Sequence, residues 1–275
     1  MQKRGILSIA LLFLSMVIFA QVGLDILVED NDTGLTIIKS SGTAKILVIP
    51  DTIDDKPVTV IGSNAFTHKD LIEVTIPDSV TFIGDCAFSF NKLETVVIGN
   101  NVVTIGQGAF TGNKLSSVTL GSGLINIGKG AFSENSLDQL ALPEGVEIID
   151  DYAFFGNKIK EISFPDSVTL IGEGAFSGNR LGNVVIGKGV SHVKNGAFYN
   201  NRINEVTLPD SLETLGKRVF DVRPIGGRIR GSINYTDENG NVLYTTAANF
   251  DTYYAANGKK PGQYSYTSGV WSLNE

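Results

Sequence analysis

The feature that most constrains this chain is a spacing. Ala-Phe pairs end at Phe66, Phe88, Phe110, Phe132, Phe154, Phe176 and Phe198, 22 residues apart each time, and Phe220 extends the series behind Val219. A step held this regularly, without an insertion, means one supersecondary unit copied in tandem. Other positions keep the same step. Asn91, Asn113, Asn135, Asn157, Asn179 and Asn201 each stand three residues after a Phe. A Leu or Ile follows at five residues (Leu71 to Ile203), and further apolar residues at eight (Val74 to Val206) and ten (Ile76 to Leu208). A Pro or Gly closes that run in every copy, from Pro77 to Pro209.

Short runs such as "LETVVI" and "IKEISF" carry apolar residues two apart, which predicts a short strand in each copy. The Pro or Gly then breaks the strand and turns the chain. A second extended piece such as "VTLIG" follows, and the Gly of "IGxGAF" allows a tight or positive-φ corner. Each 22-residue unit is one coil with an apolar side it cannot bury alone, so coils must stack into a continuous column. The Phe residues are expected to form that column's core. An inward Asn offers two donors and an acceptor, enough to tie adjacent turns together, so the Asn series is expected to be structural. The string "IGEGAFSGNRL" contains a loose G-x-G-x-x-x-G. It lacks the strand-then-helix setting of a dinucleotide site and returns as "IGQGAFTG", so it is read as a coil corner.

The frame "NKLETVVIGNNVVTIGQGAF", together with "PDSVTLIGEGAFSGNRL" and the lead-in "SGTAKILVIPDTIDDKPVTVIGSNAF", resembles the BspA-like leucine-rich repeat over about residues 33–220. That resemblance implies a right-handed leucine-rich-repeat solenoid with strands on one curved face. It also implies a bacterial protein, on or outside the cell, that adheres to host proteins or other cells and is not an enzyme. The stretch "NFDTYYAANGKKPGQYSYTSGVWS" is similar to modules at the ends of spirochaete members of the family.

The expected organisation is an export signal at 1–20, an N-terminal cap at 21–60, repeats at 61–222 and a β-rich module at 223–275. Lys3 and Arg4 precede the apolar run "GILSIALLFLSMVIFA", and Ala20 suits a cleavage site. No second long apolar run follows, so no membrane span is expected once the signal is removed. The destination is the periplasm, the outer surface or the medium. The tail holds six of the eight Tyr and the one Trp. "SINYTDENGNVLYT" reads as a hairpin around Asn239-Gly240, and "GQYSYTSGVWSL" as another around Ser268-Gly269.

Formal net charge is −7, and loss of the signal's two cations makes it −9, so nucleic acid is not an expected partner. One cysteine, Cys86, leaves no internal disulfide, and it is read as a small buried apolar residue. The two histidines, His68 and His192, are far apart in the repeat count, which argues against a zinc site or a catalytic triad. His192 is assigned to the surface slot held elsewhere by Thr81, Val103, Ile125 or Thr169. No cofactor, metal or catalytic residue is expected.

Recognition is therefore expected from outward columns. Lys92, Lys114, Lys158, Arg180 and Arg202, interrupted by Ser136, follow the Asn column. Coils about 4.8 Å apart would hold these cations close together. They form either a solvated surface or a face for an acidic ligand or matrix protein. Glu73, Glu161 and Glu205 mark a second column on the strand face. The alternative is carbohydrate binding by Tyr253, Tyr254, Tyr264, Tyr266 and Trp271, with the repeats as a spacer; the rival use of those rings is as the module's own core.

Overall fold

The computed structural model describes residues 24–220, strand residues 15–17, 232–236 and 242–246, residue 254, and residues 258–267 and 270–274. The rest of the expected export signal, the 221–231 junction and the two expected hairpin tips lie outside the described residues. Ser15–Val17 (β1), Leu24–Asn31 (β2) and Gly34–Gly42 (β3) pair antiparallel in sequence. Ile46–Val48 (β4), Thr52–Ile53 (β5) and Lys56–Ile61 (β6) complete the N-terminal part, with β3 and β6 parallel.

From there the chain coils. Strands of three or four residues lie on one face: Glu73–Ile76 (β7), then, after Phe82–Ile83 (β8), Thr95–Ile98 (β9). Thr104–Ile105 (β10) precedes Ser117–Thr119 (β11). The second extended piece continues as Asn126–Ile127 (β12), Ile148–Ile149 (β13) and Leu170–Ile171 (β14). Asn183–Val185 (β15), His192–Val193 (β16), Glu205–Leu208 (β17) and Thr214–Leu215 (β18) finish the repeats. The tail has Ser232–Thr236 (β19), Val242–Thr246 (β20), Gly262–Thr267 (β21) and Val270–Asn274 (β22). The solenoid is a stack of 22-residue coils.

Three ladders run along it. The two-residue strands pair in parallel without a break from β6 and β8 to β18. At the corners the amides of Phe66 through Phe176 each donate to the Ala one coil on, as Phe110 N to Ala131 O at 2.8 Å, and Phe198 N donates to Val219 O at 2.9 Å. The strand face is the exception. It pairs as β4–β7–β9–β11, stops, and resumes as β15–β17, to which β21 adds antiparallel. Between these blocks only one bridge, Ser163 to Val185, remains.

The strand expected at "IKEISF" therefore does not form, and residues 138–142 form none either. The cause is local composition. Asp138-Gln139-Leu140-Ala141-Leu142 has no β-branched residue, whereas the paired coils supply Thr-Val-Val-Ile and Ser-Val-Thr. Pro143 and Pro165 also stand in consecutive coils, so neither contributes an N–H at the strand's end.

The core is a stack of rings. Phe66 through Phe220 are buried, with successive ring centroids 5.1 to 5.5 Å apart. Two left-handed residues per coil turn the corner. One is two places before the Phe, with φ of 54 to 61° at Asn64, Cys86, Gly108, Gly130, Tyr152, Gly174, Gly196 and Arg218. The other is two places after it. Glycine takes such a φ freely, and the larger residues are held there by the stack. Cys86 is half-buried in one of these corners rather than sealed in the core.

Candidate interaction face

The buried polar groups are committed to the backbone. Asn113 Nδ2 donates to Phe88 O and Phe110 O, both at 3.0 Å, while its Oδ1 accepts from Leu93 N at 3.0 Å. Asn91, Asn135, Asn157, Asn179 and Asn201 repeat this bond set and are buried. Each amide thus closes two coils' corner carbonyls and one strand-edge amide. Nothing on these side chains is left to face a ligand. Corner acids act in the same way: Asp85 and Asp151 accept the amides of Gln107 and Glu173, each at 2.8 Å.

The backbone beside the Asn column fixes the cation column. The amides of Lys92, Lys114, Lys158, Arg180 and Arg202 donate to the coil before at 2.8 to 3.0 Å. Their side chains stand outside at coil spacing. Lys92 pairs with Asp70 at 2.8 Å, which lowers the Asp70 carboxyl through the hydrogen bond and charge of Lys92. Lys158 donates to Ser136 Oγ at 3.0 Å. Lys114, Arg180 and Arg202 form no ion pair among the described residues.

The three strand-face glutamates are not brought together. Glu73 is on β7, paired beside Ile46. Glu205 is on β17 in the other block, where Asn183 Nδ2 donates to its Oε2 at 2.9 Å. Glu161 lies in the unpaired region between the blocks. The outward strand residues also include apolar ones that the charge columns did not reveal: Ile46, Val48, Val97 and Val185 are exposed, Val185 by 58%.

His192 needs a correction. It pairs in register with Leu170 and Thr214, so the slot of Thr81, Val103 and Thr169 belongs to its neighbour Ser191. Ser191 Oγ lies 2.7 Å from His192 Nδ1, and Glu213 lies 3.9 Å from Nε2. His192 and Glu213 are exposed and Ser191 is half-buried beside the back ladder, so this is a surface contact. Among the described residues no group of three or more His, Cys, Asp or Glu could hold a metal ion.

In the tail, Tyr254, Tyr264 and Trp271 are buried, with Tyr254 and Tyr264 edge to face at 5.9 Å. Tyr254 is further held by Lys259 O at 3.0 Å, and burial pushes its phenol up. These rings pack as core, so they present no flat platform to a sugar. Tyr253 and the Tyr266 side chain lie outside the described residues.

The region that sequence reasoning missed is a groove of about 590 Å³ lined by Asp138, Gln139, Leu140, Lys160, Glu161, Ile162 and Ser163. Its only advance signal was the run without β-branched residues and the consecutive prolines. No helix among the described residues is long and apolar enough to cross a membrane.

Comparison with known proteins gives a consistent result. Residues 59–181 and 147–225 match the BspA type leucine rich repeat region, in six copies. A leucine-rich repeat protein from Bacteroides ovatus has a similar structure, with a TM-score of 0.63 at 26% identity, covering 74% of this chain and 56% of that one. A leucine rich cell surface protein from Faecalibacterium prausnitzii gives a TM-score of 0.50 at 25% identity, covering 78% and 60%. The chain therefore spans somewhat over half the length of either. No curated protein matches.

Proposed function

Because this chain belongs to the BspA-type leucine-rich-repeat family, we propose that it is an exported, non-enzymatic binding protein of a bacterial surface. Its partner is a host or neighbouring-cell protein, held by side chains that stand outside the coils. The observation that carries this reading is the column Lys92, Lys114, Lys158, Arg180 and Arg202, anchored at coil spacing, in which Lys114, Arg180 and Arg202 form no ion pair among the described residues. On a chain of net charge −7, a line of unpaired cations costs self-repulsion that an acidic partner surface would offset. Export is supported by the signal-like N-terminus and by the cell-surface description of the Faecalibacterium protein.

The test is adhesion of the purified protein to wells coated with host matrix proteins. Lys114, Lys158 and Arg180 are reversed to Glu together. Binding should fall by at least about tenfold, and wild-type binding should weaken with salt. Unchanged binding by a variant that melts like the wild type would overturn the role of the column.

A further inference from the structure

The break in the strand face has the chemistry of a binding site. Backbone N–H and C=O groups in a sheet demand partners, and a sheet that stops leaves a row of them open. Here β11 ends one block with no strand beside it, and residues 138–142 and 160–163 form no ladder with each other. The coils are nonetheless in normal register on either side of the opening. Lys158 N donates to Leu137 O at 2.8 Å, and Thr169 N to Glu147 O at 2.9 Å. The opening is thus confined to the strand face, framed by two intact ladders.

Its floor is apolar, made by Leu140 and Ile162. Around it Val118, Leu120 and Leu142 are, like Leu140, only partly buried, while their equivalents Val74, Ile76, Val96 and Ile98 are sealed. Its rim is polar, with Lys160 and Asp138 paired at 3.6 Å across the two coils and Gln139, Glu161 and Ser163 exposed beside them. The volume, about 590 Å³, lies within the range of ligand sites.

We propose that this slot binds one extended polypeptide segment of a partner, which adds a strand to the broken face. Open ladder groups select an extended backbone, because only a strand offers N–H and C=O at matching intervals. The inward Leu140 and Ile162 select an apolar side chain at alternate positions, and the outward Glu161 selects a polar or basic one between them. The fold already closes one strand edge in this way: β21 pairs antiparallel along all of β17, from Glu205 with Ser265 to Leu208 with Gly262. The site deepens the protein-binding reading, on which it rests, but uses main-chain bonds rather than the cation column.

The probe is a labelled synthetic peptide copying Lys92–Asn101, KLETVVIGNN, the segment that already pairs on both edges as β9. It is titrated into the full chain and compared with the same peptide N-methylated at alternate residues. Amide exchange is followed in parallel. In the free protein, amides 139–142 should exchange much faster than those of β9. The unmodified peptide should bind saturably and slow their exchange, and N-methylation should weaken it by at least about tenfold. The Lys114, Lys158 and Arg180 reversal should leave peptide affinity within about twofold. Equal binding of both peptides, no saturable binding, or free-protein exchange at 139–142 as slow as in β9 would overturn the slot. The adhesion reading would survive that result, because matrix binding by the cation column is measured separately.

Discussion

Phe110 and Phe132 lie ring on ring, with centroids 5.2 Å apart and planes 5° from parallel, and neither is exposed to solvent. Each ring is both floor and ceiling for its neighbours. Phe132→Ala therefore opens a cavity between two coils that the ladders on either side keep from closing. It should cost about 3–5 kcal/mol, read by chemical denaturation. A loss under about 1 kcal/mol would mean that the stack can collapse around the gap.

Asn113 reaches three backbone groups: it shares Phe88 O with Asn91 and Phe110 O with Asn135, and it alone among the described residues accepts from Leu93 N. Asn113→Ala leaves Phe88 O, Phe110 O and Leu93 N without it, and should cost about 2–4 kcal/mol. Asn113→Asp should restore little near neutral pH, because a carboxylate cannot donate to two carbonyls. Full rescue by Asp, measured by thermal melting, would contradict the bonding scheme.

Phe90 covers the corner glycine of the next coil. A Cβ on Gly112 would lie 2.7 Å from the Phe90 ring, and Gly112 has a φ of 66°. Gly112→Ala should cost about 1–3 kcal/mol from strain and crowding together. Phe90 is 52% exposed, so Phe90→Ala alone should be mild. The double variant should be less destabilised than the two single effects added, with additivity indicating that the ring moves aside freely.

Asp151 is pushed up by burial, but the Glu173 amide and then Lys194 outweigh this and hold its carboxyl below the usual range. Its ionised form therefore adds stability at neutral pH, and that contribution is lost as pH falls through the folded value. Asp151→Asn should be less stable than wild type at pH 7 and nearly equal to it in acid, once the folded carboxyl is protonated. The urea midpoints at both pH values give the answer. A difference unchanged by acid would assign the effect to packing.

The repeat was legible because burial falls on the same residues in every coil: Phe, Asn, and the Leu and Val that follow. The break in the strand face was not, since Leu140 and Leu142 keep the apolar spacing of Val96 and Ile98. What differs is the outward Gln139 and Ala141 and the pair Pro143 and Pro165, and these act through pairing between coils rather than within one. His192 was misplaced by one position because Ser191, not His192, continues the threonine column. Both columns face outward and the buried position is Val193, so burial alone does not tell the two apart in the sequence. The left-handed corners at Phe90 and Tyr152 were hidden for a related reason: other coils place Gly there, and only the stack shows that a large ring can lie over the next glycine.

That 22 residues make one interchangeable coil is tested most directly by two deletions compared in one melting experiment. Removing 111–132 takes out a whole turn and brings Phe110 against Phe154 with every ladder in phase, so the protein should stay soluble and melt cooperatively. Removing 111–121 puts the strand face of one coil against the back ladder of the next, so it should not fold. Equal melting of the two would contradict the coil as the unit on which both the core and the outward columns are built.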